Sequence, residues 1–334
     1  MYLEFYRLSG MPFQLVPDSR FFFGSQQHNK AMAFLNYGIS QNEGFVVVTG
    51  EVGAGKTTLV EHLLSTLNPT EYVSGRIVTT QLDSYDMLRM IGSAFNLFRE
   101  GMDKATLLTR VKQFFSDQRN QGKRVLLIVD EAQSLSTEAV EELRMLSNMT
   151  ISGNAPFQGI MLGQPEFRAV LSTAGLEQFR QRVTASYHLG ALNPEDTRKY
   201  IEHRLHHVGW NNDPVFTDEA FAEIYKFAGG IPRRINTLCS RLLLLGYLEE
   251  RHDVTGPMVA SVANELIDEL GPMVGSGVAL RSSADPRTPT ISHKVDSGLD
   301  ARINRLEDTS DRHERAINRA FDIALRYLPG LKED

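Results

Sequence analysis

The chemistry of this chain concentrates in Gly50-Glu51-Val52-Gly53-Ala54-Gly55-Lys56-Thr57, which fits the spacing G-x-x-x-x-G-K-[ST]. Glycines so spaced let backbone N–H groups converge on phosphate oxygens, where side chains would block the approach. The lysine then reaches the β- and γ-phosphates of a nucleotide, and the Thr57 hydroxyl can hold Mg²⁺. The flanks agree with this reading. Phe45-Val46-Val47-Val48-Thr49 reads as a buried strand, and Thr58-Leu59-Val60-Glu61-His62-Leu63-Leu64 as a helix. That helix adds its partial positive charge at the phosphate end. Strand, glycine turn and helix in this order are the context the motif requires. Residues 50 to 58 are therefore expected to hold the phosphates.

Hydrolysis needs acids on the metal side. Arg124-Val125-Leu126-Leu127-Ile128-Val129 is a near-continuous apolar run ending in Asp130-Glu131-Ala132-Gln133. Such a run marks a strand buried on both faces, and ligands of open α/β sheets sit at the strands' carboxyl ends. Asp130 would organise Mg²⁺ through its water shell, and Glu131 would act as general base or orienter of the attacking water. The competing reading is a pair of acids capping the next helix. Gln164 ends a later apolar strand and could hydrogen-bond water or phosphate, or simply be solvated. Arg180 and Arg182 could complement charge on a transferring phosphoryl group, or be surface cations. In Gly229-Gly230-Ile231-Pro232-Arg233-Arg234 the proline starts a helix, so Arg233 falls in its first turn. The helix dipole disfavours arginine there unless an anion compensates, which makes Arg233 a candidate γ-phosphate sensor against a plain basic corner. His206 and His207 are adjacent on a helix, point apart and lack a third ligand, so no zinc site is expected.

These groups must be positioned by alternating strands and helices, which predict a parallel sheet covered by helices. The expected strands are 45–49, 76–81, 124–129, 157–162 and 183–189, with helices at 85–97, 104–120 and 137–148. An aromatic lead-in over residues 1–43 precedes them, giving an α/β nucleotide-binding domain over 1–190. From Pro194 the pattern is purely helical, with Asn193 as a cap and further helices from Asp218, Pro232 and Gly256. Residues 191–270 thus form a small helical lid. Residues 271–298, rich in Gly, Ser, Pro and Arg, read as a flexible linker. Residues 299–330 place Leu299, Ile303, Leu306, Ala316, Ile317, Ala320, Ile323 and Tyr327 near helical spacing. They read as a solvated tail helix or one that docks a partner.

A length of 334 residues suits about two domains. The net charge of −6 leaves no global basic field to draw nucleic acid. The single cysteine, Cys239, cannot close an intrachain disulfide, and it lies in an apolar helical run as a structural thiol. No charged n-region with an apolar stretch opens the chain, and no run of about 18 apolar residues occurs. A cytoplasmic protein is the expectation.

Taken in order, these motifs resemble the AAA+ ATPases of the general secretion pathway protein A (ExeA-type) family, over roughly residues 1 to 270. The resemblance rests on Pro12-Phe13, Pro17-Asp18, Phe22-Phe23 with Ser25 and His28, and Thr49 to Thr58. It continues in Asp130-Glu131-Ala132-Gln133, Gly163-Gln164-Pro165-Glu166, Arg180-Gln181-Arg182 and Gly230-Ile231-Pro232-Arg233-Arg234-Ile235-Asn236. The pattern looks closest to the ATPases encoded with exosortase and exopolysaccharide genes. The resemblance implies Mg-ATP hydrolysis to ADP and phosphate, coupled to envelope secretion or exopolysaccharide assembly. It casts Lys56 and Thr57 as the Walker A pair and Asp130 and Glu131 as the Walker B pair. Gln164 takes the sensor 1 position and Arg233 sensor 2. Arg182, or else Arg180, is the arginine finger acting on a neighbouring subunit of a homo-oligomer. Residues 21–28 would line the adenine side. Longer members continue into a membrane span and a peptidoglycan-binding domain that this sequence lacks, so its tail helix is expected to dock a membrane partner instead. A DNA-associated regulator of the transposon target-selection type is the alternative.

Overall fold

Five parallel strands form the sheet that carries the glycine turn, in the spatial order 72–78, 124–130, 158–163, 45–50 and 183–189. In the computed structural model, residues 2–16, 18–78, 84–151, 153–173 and 175–270 are described. All of them lie within one compact unit, Met1–Ser276. The chain opens with α1 (Tyr2–Phe5) and α2 (Gln26–Gln41), then runs into β1 (Phe45–Gly50) and α3 (Lys56–Thr66). There follow β2 (Tyr72–Val78), α4 (Ser84–Ala94), α5 (Lys104–Asn120) and β3 (Arg124–Asp130). Next come α6 (Thr137–Ser147), β4 (Gln158–Gly163), α7 (Glu166–Leu171), α8 (Glu177–Arg180) and β5 (Val183–Leu189). The helical part comprises α9 (Pro194–His207), α10 (Asp218–Ala228), α11 (Pro232–Leu248) and α12 (Gly256–Leu270). Two short paired strands, β6 (Val215–Phe216) and β7 (Asp253–Val254), lie between its helices.

Every residue of β1 is buried, because alternate side chains enter different cores. Phe45 and Val47 pack with α4, α5 and α6 through Leu88, Val111 and Leu143. Val46 and Val48 pack with α2 and α3 through Leu35, Leu59 and Leu63. β1 is therefore fixed from both faces, and so is the turn that leaves its carboxyl end.

Two differences from the sequence reading have local causes. β2 begins at Tyr72, in register with Arg124 of β3, rather than at Arg76. Gly75 lies inside the strand as a contact point, since a Cβ there would lie 2.6 Å from the Phe95 ring. Gln81, where that strand was expected to end, lies outside the described residues. α4 stops at Ala94 instead of Leu97, because Asn96 takes a positive φ of 58° and the Leu97 N–H turns back to the Gly92 carbonyl at 2.6 Å.

The lead-in divides between two cores. Tyr6, Leu8, Phe13 and Phe21 join the helical core with Ile201, Leu205 and Leu242. α2 instead lies on the sheet. Residues expected to belong with the α/β domain thus pack partly with the lid, since four large apolar side chains find their partners there. Cys239 is fully buried in the same core, and burial pushes its thiol pKa up. The expected linker and tail, residues 271–330, lie outside the described residues.

Candidate active site

The turn between β1 and α3 is shaped by two left-handed glycines, Gly53 at φ 82° and Gly55 at φ 98°. A side chain at Gly53 would run into the Cβ of Arg233, and one at Gly55 would lie 2.9 Å from His28 Nε2. The cradle is therefore one that only glycine leaves open. Lys56 is 7% exposed and folds back over the turn, donating to the Gly50 carbonyl at 2.7 Å and the Glu51 carbonyl at 3.0 Å. Burial pulls its pKa down, against the nearby carboxylates of Glu131, Asp130, Glu51 and Glu166. An ammonium held by two neutral carbonyls is ready to exchange them for an anion.

Thr57, in the first turn of α3, donates its hydroxyl to Asp130 Oδ2 at 2.9 Å. Asp130 closes β3, is 4% exposed, and accepts the Glu131 N–H on Oδ1 at 3.0 Å. Arg76 of β2 donates to the same Oδ2 at 2.7 Å and to Glu61 at 3.1 Å. Thr57 and Asp130 make an all-oxygen pair beside the phosphate turn, the donor set a hard cation takes. Glu131 stands in the left-handed region at φ 53° and lines the same cleft as Lys56 and Thr57. Its Oε2 accepts from Gln133 at 2.6 Å and from Gln164 at 3.2 Å. The reading of Asp130 and Glu131 as simple helix caps is not what the structure shows: Ser136 caps α6, accepting the Ala139 N–H.

The lid closes over the turn through α11. Pro232 opens that helix, and the Arg233 N–H donates to the Gly53 carbonyl at 3.2 Å. Arg233 lines the cleft. The two finger candidates are elsewhere. Arg180 is tied to its own surroundings, donating to the Leu171 carbonyl at 2.6 Å beside Glu177. Arg182 precedes β5 and lines a separate polar hollow with Glu43, Asn148 and Asn154. Because the strands run parallel, that end of β5 is remote from the carboxyl edge bearing the glycine turn.

At the other end of the cleft residues 21–28 stand where the resemblance implied, whereas Tyr200 and Arg204 were missed by sequence reasoning. The cleft is open to solvent, with about 970 Å³ of empty space including its mouth. Its far wall contains Phe22, which stacks on His62 at 4.0 Å, and His28, whose Nδ1 contacts Ser25 Oγ at 2.8 Å. Burial pulls the His28 pKa down to about 4. Arg204 is a buried guanidinium that donates to the Pro12 carbonyl at 2.6 Å and to Tyr200 at 2.9 Å. Tyr200 in turn donates to Asn236, and Asn236 to the Gln14 carbonyl at 3.2 Å. Arg76 and Arg204 carried no signal in the sequence, because an arginine on a strand or helix normally points to water.

Residues 39–171 match the AAA domain family. Over 343 aligned positions it is 33% identical to general secretion pathway protein A of Aeromonas hydrophila. That match covers 96% of this chain, which spans 61% of the relative's length. The fold is similar to Cdc6p from Pyrobaculum aerophilum, with a TM-score of 0.60 at 14% identity, over 75% of this chain and 71% of that one. It is also similar to the Aeropyrum pernix ORC2 protein, with a TM-score of 0.56 at 16% identity, over 72% and 67% of the two chains. These likenesses carry the P-loop NTPase fold. No described helix is long and apolar enough to cross a membrane.

Proposed function

We propose that this protein is an ATPase of the secretion protein A type, binding ATP with Mg²⁺ and hydrolysing it to ADP and phosphate. The observation that carries this reading is the 2.9 Å hydrogen bond from Thr57 to Asp130, with Glu131 in the same cleft as Lys56. Residues 50 to 58 wrap the phosphates, and Lys56 leaves its two carbonyls for a β- or γ-phosphate oxygen. Thr57 and Asp130 would hold Mg²⁺, which when bound neutralises charge on the β- and γ-phosphates. Glu131 orients a water and takes its proton as the water oxygen attacks the γ-phosphorus and the bond to the β-phosphate oxygen breaks. Gln164 steadies that water or the γ-phosphate. Arg233 brings positive charge to the γ-phosphate from the lid, and residues 21–28 hold the adenine.

The geometry around Arg182 supports a role outside its own cleft: it would complete the site of a neighbouring copy in a homo-oligomer, whereas Arg180 is engaged locally. The relative's name supports envelope secretion as the coupled process. The narrower reading, from the motifs alone, is exopolysaccharide or exosortase-associated assembly at the cytoplasmic face, with residues 299–330 docking a membrane partner.

The decisive variant is Glu131→Gln. It is expected to bind ATP normally while phosphate release falls by about a hundredfold or more. Undiminished turnover by this variant removes Glu131 as the base. Deleting residues 271–334 is expected to spare basal turnover.

A further inference from the structure

The Asp-Glu pair is followed by a glutamine that the mechanism above does not use. Gln133 sits in the short turn Ala132–Ser134, whose Ala132 is fully buried against the sheet core. The turn is closed by the Ser134 N–H donating to the Glu131 carbonyl at 2.9 Å. The Gln133 side chain bridges two strand tips. Its Oε1 accepts the backbone N–H of Gln164 at 2.9 Å, beyond β4, and its Nε2 donates to Glu131 Oε2 at 2.6 Å, beyond β3.

This arrangement fixes the orientation of the amide. A backbone N–H can only donate, so the oxygen must face Gln164 and the nitrogen must face Glu131. Among side chains of this length only a carboxamide both accepts and donates in this way. Glutamate accepts without donating when ionised, and lysine donates without accepting. The carboxylate it holds hangs from a left-handed backbone, where a non-glycine residue persists only if its surroundings impose it.

We propose that Gln133 is a positioning residue that aims the Glu131 carboxylate at the attacking water by donating to its far oxygen. The proposal rests on Glu131 being the base. The Gln164 amide adds a second donor to the same Oε2, so the two glutamines act as a clamp on one side of the carboxylate. The donated hydrogen bond carries the function, and the link to the Gln164 backbone is its support.

Two variants of the full chain separate these roles. Gln133→Ala loses both hydrogen bonds. Gln133→Glu keeps the size and the acceptor for Gln164 but turns a donor into a like charge beside Glu131. Single-turnover hydrolysis is expected to slow roughly tenfold in the first and at least as much in the second. ATP affinity by titration calorimetry should stay within about twofold of the parent for both. In a Glu131→Gln background the further loss should vanish, because no carboxylate remains to be aimed. Parental turnover by Gln133→Glu would show that only the Gln164 link matters and overturn the proposal. So would a loss seen as weakened ATP binding, or an undiminished loss on top of Glu131→Gln. If Glu131→Gln alone turns over normally, it is the base reading that fails.

Discussion

Two of the cations that line the cleft, Lys56 and Arg204, rest on neutral groups, and they are held differently. At the phosphate end, Lys56 rests on the carbonyls of Gly50 and Glu51, within the turn that precedes it. At the base end, Arg204 donates to the Pro12 carbonyl, 192 positions away, and lies over the Phe21 ring at 4.7 Å. Lys56 therefore gives up only local contacts when it swings to a ligand. Arg204 joins α9 to the lead-in, and moving it would leave the Pro12 carbonyl and the Tyr200 hydroxyl short of a donor. The first is placed to bind, the second to build. The cleft is cross-linked where the lead-in meets the lid, whereas at the glycine turn its lysine is held by local carbonyls.

The largest expected effect lies at the phosphate end. Lys56→Ala should weaken ATP binding by about a hundredfold or more, since it removes a charge-assisted contact with the phosphates. Its melting temperature should change little, because losing the buried ammonium also relieves its desolvation, which offsets the donors lost to the Gly50 and Glu51 carbonyls. A large loss of stability with ATP affinity intact would reverse the comparison.

The seam between the two ends is tested by pH. His28 belongs to the lead-in helix but packs against the glycine turn. Its pKa lies at about 4, pulled down by burial from 6.5. Between those values the unfolded chain binds a proton that the folded chain refuses, so stability rises with pH across this window. The His28 contribution is complete above pH 6.5 and is lost as the pH falls toward 4. It amounts to about 3 kcal/mol. Urea unfolding of the parent and of His28→Gln at pH 7 and pH 4.5 should show a steeper acid loss in the parent. Parallel curves would mean that His28 is protonated in the folded protein and does not wedge the turn.

At the base end, Arg204→Met should cost about 2 kcal/mol of stability, with ATP affinity lowered less than about tenfold. If the variant is fully stable and binding collapses, Arg204 is a ligand group like Lys56 and the division of labour disappears.

The same contrast explains what the sequence revealed. Gly50 to Thr57, and the acids at 130 and 131, are legible because each set is contiguous and its chemistry needs neighbours in fixed order. The parallel sheet was legible too, since β1 and β3 are unbroken apolar runs. Arg204, Tyr200, Asn236 and the lead-in carbonyls form one network only after α9 and α11 pack, and nothing local marks them. Arg76 was hidden for a similar reason. Its strand begins earlier than Arg76, and its charge is explained by Asp130 on the neighbouring strand and Glu61 of α3. Gln164 stood between reading as a solvated strand end and as a site group. The structure places it on Glu131.

The smallest effect concerns the aromatic wall. Phe22 stacks on His62 of α3 at 4.0 Å with 9° between the planes, so one ring joins the lead-in to the helix that begins at Lys56. An aromatic stack contributes about 0.5–1.5 kcal/mol beyond its burial. Phe22→Ala should therefore weaken ATP binding by about threefold to tenfold. A purine nucleoside without phosphates should lose the same factor, whereas inorganic triphosphate should lose nothing. Equal losses for all three ligands would mean that Phe22 acts by propping α3, and that the two ends of the cleft are not independent.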